Sequence, residues 1–147
     1  MADTRSVIEA TPDQVYAVLA DGWNYADWVV GAVHIRAVDK GWPAPGSRVH
    51  HCVGAWPLTI ADSTEVLSCD RTGSMTLKAR MWPLGEATVR LDWRADGPNR
   101  TRVSMREEFA SGPLLALKTR INDLVLHQRN AESLRRLADM TKRYRPE

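Results

Sequence analysis

Residues 87–94, Ala-Thr-Val-Arg-Leu-Asp-Trp-Arg, decide the fold. Apolar Ala87, Val89, Leu91 and Trp93 alternate with polar Thr88, Arg90, Asp92 and Arg94. A period of two places the first set on one face of a strand and the second on the other. After Asp96-Gly97-Pro98-Asn99, a turn sequence, the alternation resumes: Val103, Met105 and Phe109 oppose Arg102, Ser104, Arg106 and Glu108. Two antiparallel strands with one dry and one wet face need a covering element.

Gly112-Pro113 introduces that element, a helical pattern running to about Arg143 without another glycine or proline. Leu114, Leu117, Ile121, Leu124, Val125, Leu134, Leu137 and Ala138 form its expected apolar stripe. Upstream, period-two segments predict strands near 32–38, 47–55, 58–69 and 74–82, ahead of 85–95 and 101–110. Turn residues at Pro43, Pro45 and Gly46, at Trp56-Pro57, at Arg71-Thr72-Gly73, and at Pro83 with Gly85 separate them. The result is a six-stranded antiparallel meander. Before it stand a strand near 4–10 and a helix opened by Thr11-Pro12-Asp13-Gln14, where Thr caps, Pro starts and Gln closes a capping box. Asp21-Gly22 breaks this helix ahead of a short second one at Trp23 to Val29.

The 147 residues suit one domain spanning 1–147, with 44% hydrophobic and 26% charged residues and no low-complexity run. The net charge of +2 is unevenly spread: residues 1–73 hold 5 basic and 9 acidic side chains, and residues 118–147 hold 8 and 4. A cationic helix end complements the helix dipole, so no nucleic-acid partner is expected. Cys52 and Cys69 are too few for a disulfide framework and lack zinc-site spacing. With neither a signal-peptide pattern nor a membrane-spanning apolar run, a cytoplasmic protein is expected. The motifs call for no cofactor. Adjacent His50 and His51 point to opposite faces of one strand, and His34 and His127 stand alone, so no metal site is expected.

A long helix beside a curved sheet encloses either a packed core or a ligand cavity, and pattern alone leaves both open. The order strand, two short helices, six strands, long helix resembles the Bet v 1-like or START-like (SRPBCC) superfamily. It is more specifically similar to the bacterial polyketide cyclase/dehydrase and lipid-transport group. The resemblance is carried by Ala10-Thr11-Pro12 with Val15 and Leu19, by Trp23 to Trp28, by Pro45-Gly46-Ser47-Arg48-Val49, and by residues 129–137, Arg-Asn-Ala-Glu-Ser-Leu-Arg-Arg-Leu. It implies a helix-grip α+β fold, a curved sheet around the C-terminal helix, with an internal cavity for a small apolar ligand. It does not choose among carriers, cyclases and interaction modules.

Strand phase nominates the lining. Glu107 is in phase with Met105 and Phe109, and His51 with Val49 and Val53. Asp62 and Thr64 are in phase with Ile60 and Val66, unless a bulge instead turns Ala61, Leu67 and Cys69 inward. Leu77, Met81, Val89 and Trp93, with Leu117 and Ile121 on the helix, supply apolar wall. Trp56 and Trp82, in two Trp-Pro-Leu turns at the same end of the meander as Gly112-Pro113, either frame a cavity mouth or plug the end of the sheet. If inward, Glu107 and His51 are the candidate acid/base or ligand-bonding groups. Otherwise Glu107 belongs to a rim ion pair. A polyketide cyclase or dehydratase would use such groups to move a proton beside a carbonyl. The third class, protein interaction, would use the outer charges Lys78, Arg80, Arg90, Arg94, Arg102 and Arg106.

Overall fold

The computed structural model describes residues 2–53, 59–80, 86–111 and 120–143. Strand β1 (Ala2–Ile8) leads into α1 (Pro12–Leu19), a 3-10 turn (Gly22–Asn24) and α2 (Tyr25–Trp28). The meander follows as β2 (Ala32–Val38), β3 (Arg48–Val53), β4 (Ile60–Asp70), β5 (Ser74–Arg80), β6 (Glu86–Ala95) and β7 (Thr101–Ser111), and the chain ends in α3 (Arg120–Arg143). All seven strands form one antiparallel sheet in the order β1-β7-β6-β5-β4-β3-β2, so β1 crosses to the last strand and the meander is otherwise consecutive. This is the helix-grip fold, with α3 packed against β1, β7, α1 and α2.

Local chemistry accounts for the elements. Thr11 Oγ1 accepts from the Gln14 N–H at 3.2 Å while the Thr11 N–H donates to Gln14 Oε1 at 2.8 Å, a closed capping box. Gly97 and Asn99 take left-handed φ values of 102° and 57°, which lets the β6–β7 turn close within a few residues. In β6, Ala87, Val89, Leu91 and Trp93 are all buried while Arg90 and Arg94 are exposed. The buried face meets Ile8, Val15, Val18, Leu134 and Leu137 in a common core.

Two expectations change. Leu124 is 58% exposed rather than part of the helix stripe. Among the described side chains of α3 the buried ones are Asn130, Ser133, Leu134, Leu137 and Thr141, and Leu124 lies ten residues before Leu134, about 80° around the helix from it at 100° per residue. In β4 the anticipated bulge exists, but it falls between Val66 and Ser68. Asp62, Thr64 and Val66 therefore remain inward, Leu67 and Ala61 are exposed, and only Cys69 turns toward the core.

Candidate functional site

Between the sheet and α3 lies a cavity of about 320 Å³. Its wall takes Leu77 from β5, Val89 from β6 and Met105 from β7, with Tyr25 and Trp28 of α2 at one side. The pairing register explains the row, because Leu77 sits opposite Val89 and Val89 opposite Glu107. His51, Thr64 and Glu107 also line the cavity, as do Arg129, Asn130 and Ser133 of α3.

Two polar groupings stand in this apolar wall. In the first, Thr64 Oγ1 lies 2.9 Å from His51 Nε2 and 2.9 Å from the Tyr25 hydroxyl, so one buried hydroxyl joins imidazole to phenol. The Tyr25 and His51 rings stack at 5.4 Å and 15°. Burial pushes the His51 pKa down to about 4, against the opposing pull of Asp62, and pushes the Tyr25 phenol up to about 12. Both are neutral near pH 7. His51 Nδ1 is buried with no hydrogen-bond partner among the described residues, and the same holds for Asn130 Nδ2.

In the second grouping, the Arg129 guanidinium donates to both carboxylate oxygens of Glu107, which is 1% exposed. Both contacts come from one nitrogen, Nη2, which bridges the two carboxylate oxygens in a charge-assisted pair. Glu107 is thus an inward, paired anion: it is neither the lone desolvated acid nor the rim carboxylate that phase alone had left open.

Asp62, although buried, is outside the lining. Its Oδ1 accepts from the Ser63 N–H at 2.8 Å and lies 3.7 Å from Arg80 Nε. Trp93 is also absent from the wall. The cavity takes Val89 from β6 and is flanked by Tyr25 and Trp28 of α2, whereas Trp93 lies near the other end of β6, stacked on Tyr16 of α1 at 6.2 Å. Trp56, Met81, Trp82 and Leu117, and the side chains of Phe109 and Ile121, lie outside the described residues. Sequence reasoning missed Tyr25, Trp28, Arg129, Asn130 and Ser133 as lining. A signal existed for two of them, since polar Asn130 and Ser133 interrupt the buried stripe completed by Leu134 and Leu137.

On the outer face, Arg90 pairs with Asp92 at 3.0 Å, Lys78 with Glu86 at 3.5 Å, Arg102 with Asp96 at 3.5 Å and Arg106 with Asp3 at 3.5 Å. Solvated pairs of this kind account for these charges. His50 likewise faces outward, 3.0 Å from Asp39, and His127 Nδ1 lies 3.2 Å from Thr4 Oγ1. Among the described residues no helix is long and apolar enough to cross a membrane, and no cluster of three or more His, Cys, Asp or Glu side chains is placed to hold a metal ion.

A family model described as polyketide cyclase / dehydrase and lipid transport matches residues 2–142. No curated protein matches the chain in sequence. Among solved structures, the Zhui aromatase/cyclase from Streptomyces sp. R1128 superposes with a TM-score of 0.74 at 15% identity, over 97% of this chain and 93% of that one. Ara h 8.0201 gives a TM-score of 0.68 at 13% identity over 97% of each chain. TTHA0849 from Thermus thermophilus gives 0.66 at 13% identity, again over 97% of each. At these identities the likeness is one of fold.

Proposed function

We propose, for a chain that belongs to the polyketide cyclase / dehydrase and lipid transport family, that the space between sheet and α3 holds one small, mostly apolar molecule. The observation that carries this reading is the cavity of about 320 Å³ walled by Leu77, Val89, Met105 and Trp28, with its polar groups gathered into two groupings. A side-chain-filled core would leave no such space. The thiols of Cys52 and Cys69 are unpaired, in keeping with a reducing, cytoplasmic setting.

The test is mass spectrometry of the purified protein under native and denaturing conditions, together with Val89→Trp. A small apolar compound released only on unfolding, and lost in the variant, supports the reading. If nothing is released and a diverse hydrophobic library leaves the melting temperature unchanged, the reading fails.

One observation favours an enzymatic reading beside it: the hydrogen-bonded run Tyr25–Thr64–His51. A neutral imidazole coupled through a hydroxyl to a phenol can accept a proton at one end while another moves at the other, as cyclisation or dehydration of a carbonyl compound requires. In that reaction His51 is the base and Tyr25 the group that polarises the oxygen. Glu107, held by Arg129, shapes the cavity. Tyr25→Phe would then abolish turnover of a cyclisable ketone while leaving its binding within a few-fold. Equal loss of both would reduce Tyr25 to a binding residue.

A further inference from the structure

We infer that the outer face of the sheet, turned away from the cavity, carries a second site: a basic depression over β1, β7 and β6 that takes the phosphate end of a small phosphorylated molecule. The depression measures about 410 Å³ and is lined by Arg5, Arg94, Arg102 and Arg106 with Asp3, Asp92 and Ser104. The pairing register builds it. Arg106 stands opposite Arg90 and Arg102 opposite Arg94, so arginine faces arginine twice across β6 and β7. Between these two rows Ser104 lies opposite Arg5 on one side and Asp92 on the other. Arg102 and Arg106 are four residues apart on β7, about 13 Å at about 3.3 Å per residue. The short Ser104 midway leaves a floor over which their long side chains can lean inward.

Stability does not explain this arrangement, because like charges directly opposite across a strand pair repel. The other half of the same face avoids them: Arg48, Glu65 and Lys78 oppose one another with alternating sign across β3, β4 and β5. Among the described residues three acids, Asp3, Asp92 and Asp96, lie within ion-pair reach of the five arginines Arg5, Arg90, Arg94, Arg102 and Arg106. Asp92 is taken by Arg90 at 3.0 Å. Asp3 stands 3.7 Å from Arg5 and 3.5 Å from Arg106, and Asp96 stands 3.5 Å from Arg102, separations too long for good hydrogen bonds. Arg94 is exposed and has no acidic partner among the described residues. The depression therefore holds surplus positive charge together with N–H donors that lack close acceptors. A multiply charged oxyanion relieves the repulsion and accepts from several guanidinium groups at once. Phosphate brings up to two charges and three acceptor oxygens, more than the single charge of a carboxylate can match.

Isothermal titration calorimetry in low salt tests this with three probes: acetate, inorganic phosphate and pyrophosphate. Pyrophosphate should bind one to one with a Kd below about 1 mM, phosphate about tenfold more weakly, and acetate without measurable heat. Arg94→Thr should weaken pyrophosphate about tenfold. Because it also removes one opposed arginine pair, the same variant should melt about 1–3 °C higher than the wild type. Lys40→Glu, a larger charge change in an exposed turn outside the depression, should leave the affinity within about twofold. Absence of pyrophosphate binding overturns the inference, as does a lower melting temperature for Arg94→Thr, which would make the arginine structural. Equal weakening by Lys40→Glu reduces the effect to net charge and also overturns it. Vesicles containing phosphatidate that bind when pyrophosphate does not would make the face a membrane contact instead. None of these outcomes bears on the apolar cavity, whose wall of Leu77, Val89 and Met105 lies on the opposite face of the sheet.

Discussion

Thr64→Val removes one oxygen from the centre of the protein, and its cost can be worked from the hydrogen bonds it breaks. Thr64 is 0% exposed, and its Oγ1 is the shared partner of the Tyr25 hydroxyl and His51 Nε2, each at 2.9 Å. Valine fills nearly the same volume, so no cavity contributes. Two buried polar groups lose a partner at once, and at about 1–3 kcal/mol each the expected loss is about 2–6 kcal/mol. Urea unfolding followed by circular dichroism measures it, with an unchanged slope as the condition for reading the midpoint as stability. A second variant isolates the mechanism. Tyr25→Phe alone leaves Thr64 bonded to His51, whereas combined with Thr64→Val it removes a polar group that would otherwise be stranded. The double variant should therefore be more stable than the sum of the single losses by about 1–2 kcal/mol. A Thr64→Val loss under about 0.5 kcal/mol, or strict additivity, would refute the view that this hydroxyl is the shared partner of both rings.

Other outcomes follow from the same coordinates. Because burial lowers the His51 pKa from 6.5 to about 4, the unfolded chain binds more protons between those values. Stability is therefore full above pH 6.5 and declines toward pH 4, by about 3 kcal/mol through this residue, and His51→Phe should flatten that part of a denaturation-versus-pH profile. At Gly73 an added Cβ would sit 2.7 Å from the Trp93 carbonyl oxygen, backbone that cannot rotate away. Gly73→Ala should thus cost about 1–3 kcal/mol, visible as a lowered midpoint in thermal melting. Thr11→Ala opens the capping box of α1 and should cost about 1 kcal/mol in urea unfolding, with Thr11→Ser recovering most of it.

β6 was readable because it buries one face, and β6 and β7 differ from expectation by a residue at one end; β2 spans 32–38 as expected, although its less exposed residues are Ala32, Ile35 and Val38, spaced by two register shifts instead of alternating. His51, Thr64, Leu77, Val89, Met105 and Glu107 lie at the cavity for the same reason, since phase within a strand is a local property. What the sequence could not carry was the placement of one element on another. Nothing in the composition of α3 says that Arg129 meets Glu107, because that depends on how the helix is rotated over β7. The bulge after Val66 was foreseeable as a type of event but not as a position, and it is the position that keeps Thr64 inward. Trp93 shows the converse: its inward phase was legible, yet whether it meets a cavity or Tyr16 depends on where α1 rests.

The pairing of β1 with β7 bears on how this protein is made. Residues opposite one another in the pairing, such as Thr4 and Met105, are separated by roughly a hundred positions, which makes the closing contact of the sheet a distant one. At about 5–20 residues per second on a ribosome, β1 spends on the order of 5–20 s synthesised but without its neighbour. Throughout that interval Ile8, fully buried in the finished fold, has no β7 beside it and no α3 above it. A chain halted before Thr101 therefore keeps the β1 edge unpaired and Ile8 uncovered, so closure of the sheet is a late step that waits on β7.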